Sequence, residues 1–318
     1  MARVAVMTPS FAPDFELCVA LNRSVLDNAP HSVQHHIIVP RSDLKLFGRL
    51  TGPRTHIRCE ADFLPRTFVP VPLSNFTVNL GRPFPPVRGW ILQQVIKLAA
   101  VAAAEDDVVL VVDSDVEFIR PFTAEMFVRD GNVRFYCGPK EIDESLPRHM
   151  VWHRVARVLL GLPPVEPPFT NYIPSSLVSW DPTIVRRMLA RVTAVTGRPW
   201  PTAIAGQLHF SEWMLYGVFV DGVSGAPANS FTSEDQLCLC YWKPSPLNLD
   251  SAADFIRGVR PTDVAAMISA KSRTPLPVRQ AAFAALRTAP TSKSVSPAAD
   301  NLQSTSTVVR SNSPVTYR

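Results

Sequence analysis

Val108-Val109-Leu110-Val111-Val112 is an unbroken apolar run bounded by Asp107 and Asp113. It is too short for a helix of ordinary length and offers water no polar face. A strand made from it must be covered on both sides. That demands a parallel or mixed sheet with helices packed on each face. The alternation of strand and helix patterns over residues 1–200 fits the same α/β class.

Two carboxylates follow the run at once, in Asp113-Ser114-Asp115. Ligands of open α/β sheets bind at the carboxyl ends of the strands. Close carboxylates repel unless a cation sits near them. Hard divalent cations such as Mg2+ and Mn2+ take oxygen ligands and bridge to phosphates. The simplest chemistry for the pair is a metal ion holding a diphosphate leaving group.

Other elements follow from the same patterns. Residues 3–7 read as a buried strand, 8–14 as a proline-pinned loop, and 15–26 as a helix with Asp14 as its N-cap. Strands are expected at 35–39, 56–60, 133–137, 176–180 and 236–242. Helices are expected at 42–50, 89–104, 147–162, 182–196, 211–220, 252–258, 262–271 and 278–286. Pro65, Pro70, Pro72, Pro83, Pro85 and Pro86 predict an irregular loop over 64–88. From about residue 288 Ser, Thr, Pro and Asn dominate, which predicts a disordered tail over 288–318.

Charge and cysteine content narrow the function classes. The chain has 32 basic and 27 acidic residues, a net charge of +5 that is spread rather than clustered. Nucleic acid is therefore not expected as a partner. The mild positive excess suits an anionic small molecule, or peripheral contact with an anionic membrane surface. No apolar run approaches the roughly 18–20 residues of a membrane span, and the first residues do not form a signal peptide. A cytoplasmic location is expected. The 5 cysteines do not form a disulfide framework. Cys238 and Cys240 read as small core residues on one strand face.

Four segments together resemble a known group: Val4-Ala5-Val6-Met7-Thr8-Pro9-Ser10, Gly89-Trp90-Ile91-Leu92-Gln93-Gln94-Val95-Ile96-Lys97-Leu98, Asp113-Ser114-Asp115 and Ser211-Glu212-Trp213-Met214-Leu215-Tyr216-Gly217. Over about residues 1–245 the chain resembles the glycosyltransferases of the GT-A fold, in particular an uncharacterised bacterial family (DUF6492-like). The resemblance implies a central mixed, mostly parallel sheet with helices on both faces. It also implies a metal-dependent hexosyltransferase-like enzyme that takes a nucleoside-diphosphate sugar as donor and a hydroxyl-bearing acceptor of saccharide, cell-envelope or natural-product type. One catalytic domain would span 1–250, with a nucleotide-sugar half at 1–122 and an acceptor half at 123–250. A helical extension would follow at 251–287. Thr8, Pro9 and Ser10 would hold the nucleotide, and Asp113, with Ser114 beside it, the ribose or donor sugar. Asp115, with Asp113, would ligate Mn2+ or Mg2+ under the diphosphate. His209, the last histidine of the chain, is not assigned to the metal.

Further residues have a physical reading of their own. On a helix, Gln93 and Gln94 lie one turn before Lys97. Lys97, between Ile96 and Leu98, would reach the sheet edge and neutralise phosphate, with Arg82 and Arg88 as additional cations. Inverting transfer needs a carboxylate that takes the acceptor's proton. Glu212, in the first turn of a helix capped by Ser211, is the candidate base, with Asp221 in reserve. Residues 170–176 suit hydroxyl recognition. Two alternatives share the Asp113–Asp115 motif. One is a phosphatase of the haloacid-dehalogenase type, with Asp113 attacking phosphorus. The other is a non-catalytic binding protein on a transferase fold.

Overall fold

The computed structural model describes residues 2–71, 74, 76–223 and 230–289. The expected tail therefore lies outside the described residues from position 290 on. The chain starts with β1 (Val4–Pro9), α1 (Phe15–Asn28), β2 (Gln34–Val39), α2 (Leu44–Phe47) and β3 (Thr55–Cys59). Three strands follow, β4 (Phe68–Pro70), β5 (Phe76–Asn79) and β6 (Arg82–Arg88), then α3 (Gly89–Ala102) and β7 (Val108–Val112). Next come β8 (Val116–Phe118), β9 (Val128–Arg129), β10 (Asn132–Tyr136), β11 (Gly138–Ile142), α4 (Pro147–Leu159), β12 (Phe169–Asn171) and β13 (Leu177–Trp180). The remainder is α5 (Pro182–Thr196), α6 (Trp200–Ala205), α7 (Glu212–Gly222), β14 (Ser230–Ser233), β15 (Cys238–Tyr241), α8 (Leu249–Arg257), β16 (Ala265–Ile268) and α9 (Leu276–Thr288).

The central sheet has the order β13-β7-β1-β2-β3. β7, β1, β2 and β3 are mutually parallel, and β13 runs antiparallel to β7 at the edge. The α/β class and the mixed, mostly parallel sheet are thus observed. Alternation along β7 explains its composition. Val108, Leu110 and Val112 pack with Leu21 and Val25 of α1, while Val109 and Val111 pack with Val95, Leu98 and Val101 of α3. Both faces are covered, and each fully buried Val or Leu contributes roughly 1.5–3 kcal/mol.

β8, β9, β11, β12, β14 and α6 form where no element is expected, and two expected assignments change. Within 64–88, an irregular loop in expectation, β4, β5 and β6 form an antiparallel sheet, and residues 72, 73 and 75 lie outside the described residues. Its prolines sit at Pro70 on one edge strand and at Pro83, Pro85 and Pro86 on the other. A proline on an edge costs no ladder bond where its missing N–H would face outward. Residues 262–271 do not form the expected helix either; only a 3-10 turn begins there, at Ala270–Ser272. β16 is the middle strand of a sheet with β15 and β8, so the 251–287 segment holds a strand between two helices. Ala265, Ala266, Met267 and Ile268 are all buried, and a short fully apolar run carries no period to tell strand from helix.

All five cysteines are free, and the Sγ atoms of Cys238 and Cys240 stand 3.8 Å apart. Among the described residues no helix is long and apolar enough to cross a membrane.

Candidate functional site

From β1 the chain crosses to β2 and β3 on one side, then returns to place β7 on the other side of β1. Strand order therefore reverses between β1 and β7. The carboxyl ends of two adjacent parallel strands lie there, at the kind of edge where open α/β sheets bind ligands. Thr8-Pro9-Ser10 ends one strand and Asp113-Ser114-Asp115 follows the other.

A buried charge trio lies at this edge. Lys97 Nζ is 2.8 Å from Asp113 Oδ1 and 3.3 Å from Glu212 Oε1. The side chains of Lys97 and Glu212 are each 5 % exposed, and that of Asp113 is 30 % exposed. Burial alone would depress the Lys97 ammonium, but Asp113 and then Glu212 outweigh it and hold it charged. Burial raises the Glu212 carboxyl above its usual range, opposed by Lys97. Ser211 caps α7 by accepting the Met214 N–H at 3.3 Å, as expected. Gln94 Oε1 accepts the Glu212 N–H at 3.0 Å, so α3 satisfies a second donor of the same helix start. The Trp213 ring lies under Lys97, 5.2 Å from Nζ.

Asp115 faces other neighbours. The strand ends at Val112, and Val116 N–H donates back to Asp113 O at 3.2 Å, closing a turn. Asp115 Oδ2 accepts the Ala270 N–H at 2.8 Å. With Leu17, Arg279 and Phe283 it lines a narrow crevice between α1 and α9. Burial pushes the Asp115 carboxyl up to about 7, and the negative charge of Asp113 adds to this; the Ala270 amide and Arg279 pull it back. Ser114 Oγ donates to Asp14 Oδ2 at 3.3 Å. Asp14 makes no side-chain cap on α1; it serves the motif instead, and burial raises its carboxyl.

The remaining expected residues are dispersed. Thr8 is fully buried, with Oγ1 3.0 Å from His35 Nε2, and Asn22 Oδ1 completes the network at 2.8 Å from His35 Nδ1. Its side chain is thus engaged between β1, β2 and α1. Pro9 closes β1, and the Ser10 N–H donates to Ile38 O at 2.9 Å. Gln93 is half-buried on α3. Asp221 accepts from Tyr172 Oη at 2.5 Å. It lies nine residues after Glu212, roughly 13 Å along the axis of α7. The Tyr216 hydroxyl is buried, accepting the Asp181 N–H at 3.2 Å. Arg88 donates to Leu208 O, and Arg82 packs on Gly206. Sequence pattern gave no sign of Asp14, Trp213 or the Ala270 amide as members of the site, since each joins it only through long-range packing.

The donor set around Ser114 is all oxygen. Burial is the main cause that raises the Asp14 and Asp115 carboxyls; Asp113 adds to both rises and Arg279 opposes them, so three carboxyls and one guanidinium share this turn. Among the described residues, no group of three or more His, Cys, Asp or Glu side chains is arranged to hold a metal ion by itself. Such a donor set fits a hard ion that arrives with phosphate oxygens and takes one or two carboxylates from the protein, not an all-protein cage.

The model of a family of unknown function (DUF6492) matches residues 12–244. This is well over half of the 318 residues, and the chain belongs to that family. No curated protein matches the chain.

Proposed function

We propose that this member of the DUF6492 family is a GT-A-like glycosyltransferase. In this proposal it moves a sugar from a nucleoside-diphosphate sugar to a hydroxyl of a saccharide, cell-envelope or natural-product acceptor. One position supports the assignment above the others: an acidic turn and a buried, charged lysine stand together at the carboxyl edge where strand order reverses. At that edge Asp113, the more exposed carboxylate of the trio, offers oxygen to a cation that a diphosphate would bring with it.

Asp113 and Asp115 are the residues that would hold Mn2+ or Mg2+. When bound, such an ion supplies positive charge to the departing diphosphate. Lys97, kept protonated by its two carboxylate partners, fixes the Asp113 carboxylate in place for such an ion. Asp113, 30 % exposed, is the carboxylate free to meet the donor sugar or ribose. Inversion at the anomeric carbon rests on Glu212 as the base. Its burial behind Lys97 supports a positioning role more strongly: Glu212 holds Lys97 in place from the side away from solvent.

A thermal-shift titration tests the proposal. Nucleoside diphosphates should raise the melting temperature only when Mn2+ is present, and Asp115→Ala should abolish the response. At a ligand concentration a hundredfold above Kd, stabilisation should approach about 2.7 kcal/mol. Turnover of a generic aryl phosphate, with no nucleotide response, would instead favour the phosphatase alternative.

A further inference from the structure

We propose that the sheet β4-β5-β6 seats the protein on an anionic lipid surface. The inference rests on this surface alone and does not depend on the chemistry of the site.

The sheet is two-sided. Phe68, Thr77, Asn79 and Val87 turn inward and are buried. Asn79 Nδ2 donates to Thr202 Oγ1 of α6 at 3.1 Å, which ties the inner face to the body of the protein. The outer face and the β5–β6 hairpin end carry Val69, Phe76, Leu80 and Phe84. Leu80 is 62 % exposed and Phe84 is 82 % exposed. Single exposed apolar residues are ordinary, but several gathered on one small sheet mark an interaction surface.

Charge selects the partner. No Asp or Glu occurs between Asp62 and Glu105, while Arg66, Arg82 and Arg88 fall within that stretch. None of the three arginines is in an ion pair among the described residues. Arg82 packs on Gly206 and Arg88 donates to Leu208 O, while Arg66 is exposed next to Thr67, whose carbonyl accepts the Leu80 N–H. Apolar side chains beside an exposed arginine, on a stretch without carboxylates, match the boundary between acyl chains and anionic headgroups.

The prolines point the same way. An edge strand normally offers a row of N–H groups that another strand can pair with. Pro83, Pro85 and Pro86 on β6 and Pro70 on β4 remove donors from both edges of the sheet. Fewer donors make strand addition by another protein, or by a second copy, a poorer fit. They also lower the cost of bringing the edge into a medium that cannot hydrogen-bond it.

Flotation of the full-length protein with vesicles tests this. It should float with phosphatidylcholine vesicles that contain phosphatidylglycerol and stay behind with phosphatidylcholine alone, and added salt should release it. Phe84→Ser should weaken binding about tenfold to a hundredfold, and Arg66→Glu at least about fivefold. Both positions are exposed, so both variants should melt like the parent. Val158→Ser, at an exposed apolar position on α4, should bind as the parent does. The proposal is overturned if anionic vesicles leave the parent behind, or if Phe84→Ser floats as well as the parent. A parent dimer that Phe84→Ser splits, with no flotation of either, would assign the face to self-association and overturn it equally.

Discussion

Lys97 Nζ stands 2.8 Å from Asp113 Oδ1, joining the middle of α3 to the turn after β7 through a charge contact whose lysine side is buried. Removing the cation leaves Asp113 and Glu212 facing one another without compensation. Lys97→Met should cost about 3–5 kcal/mol of stability in urea unfolding. Adding Glu212→Gln to Lys97→Met should recover part of that loss, because one uncompensated buried carboxylate disappears. Independent, additive losses from the two substitutions would show that the trio is not coupled.

His35 makes stability depend on pH. Burial, with a smaller contribution from His36, depresses its imidazole to about 3. The folded protein therefore holds it neutral, while the unfolded chain takes up a proton below its ordinary value of about 6.5. Stability from this group is complete above about 6.5 and is lost as pH falls from there toward about 3. His36, depressed to about 4, acts in the same direction. Urea midpoints measured from pH 8 to pH 4 should decline for the parent, and the decline should be shallower in His35→Asn.

Gly217 is the place in α7 where Tyr172 approaches the helix backbone. A Cβ built there overlaps the Tyr172 ring, which is itself stacked on Phe135 at 5.5 Å between centroids. The overlapped atoms include Tyr172 Cβ, which no side-chain rotation moves, so Gly217→Ala should destabilise by about 1–3 kcal/mol, although alanine is the better helix former. A higher midpoint in chemical denaturation would show that the packing is looser than described.

Arg279 fastens the segment that reaches Asp115. From α9 it donates to Ser269 O at 2.7 Å, to Ile268 O at 2.5 Å and to Thr274 O at 3.2 Å. Each bond to the charged guanidinium is worth about 1.5–3 kcal/mol. Arg279→Met should lower stability by at least about 2 kcal/mol and free the Ala270 amide from Asp115. The Mn2+-dependent response to nucleoside diphosphate should weaken in calorimetric titration at a temperature where the variant remains folded.

Local pattern made part of this arrangement visible beforehand. The apolar run before Asp113 required two covered faces, and β7 has them. The Ser211 cap and the helix behind it were equally plain, because both depend on neighbouring residues. Proline chemistry misled over residues 64–88, since a proline that breaks a central strand is tolerated on an edge, and edge position is a property of the whole sheet. Ala265–Ile268 gave no period with which to separate strand from helix. The contacts that build the site were hidden for a further reason: Lys97 meets Glu212, and Asp115 meets Ala270, across more than a hundred residues of chain, and no local propensity encodes such pairs.

The most direct measurement is a donor screen in which the protein, with Mn2+, is offered a panel of nucleoside-diphosphate sugars and the freed nucleoside diphosphate is counted. The parent should release it from at least one sugar nucleotide, while Asp113→Asn and Asp115→Asn, melting normally, should not. Silence toward every donor, or release undiminished in both variants, would contradict the role given to this acidic turn.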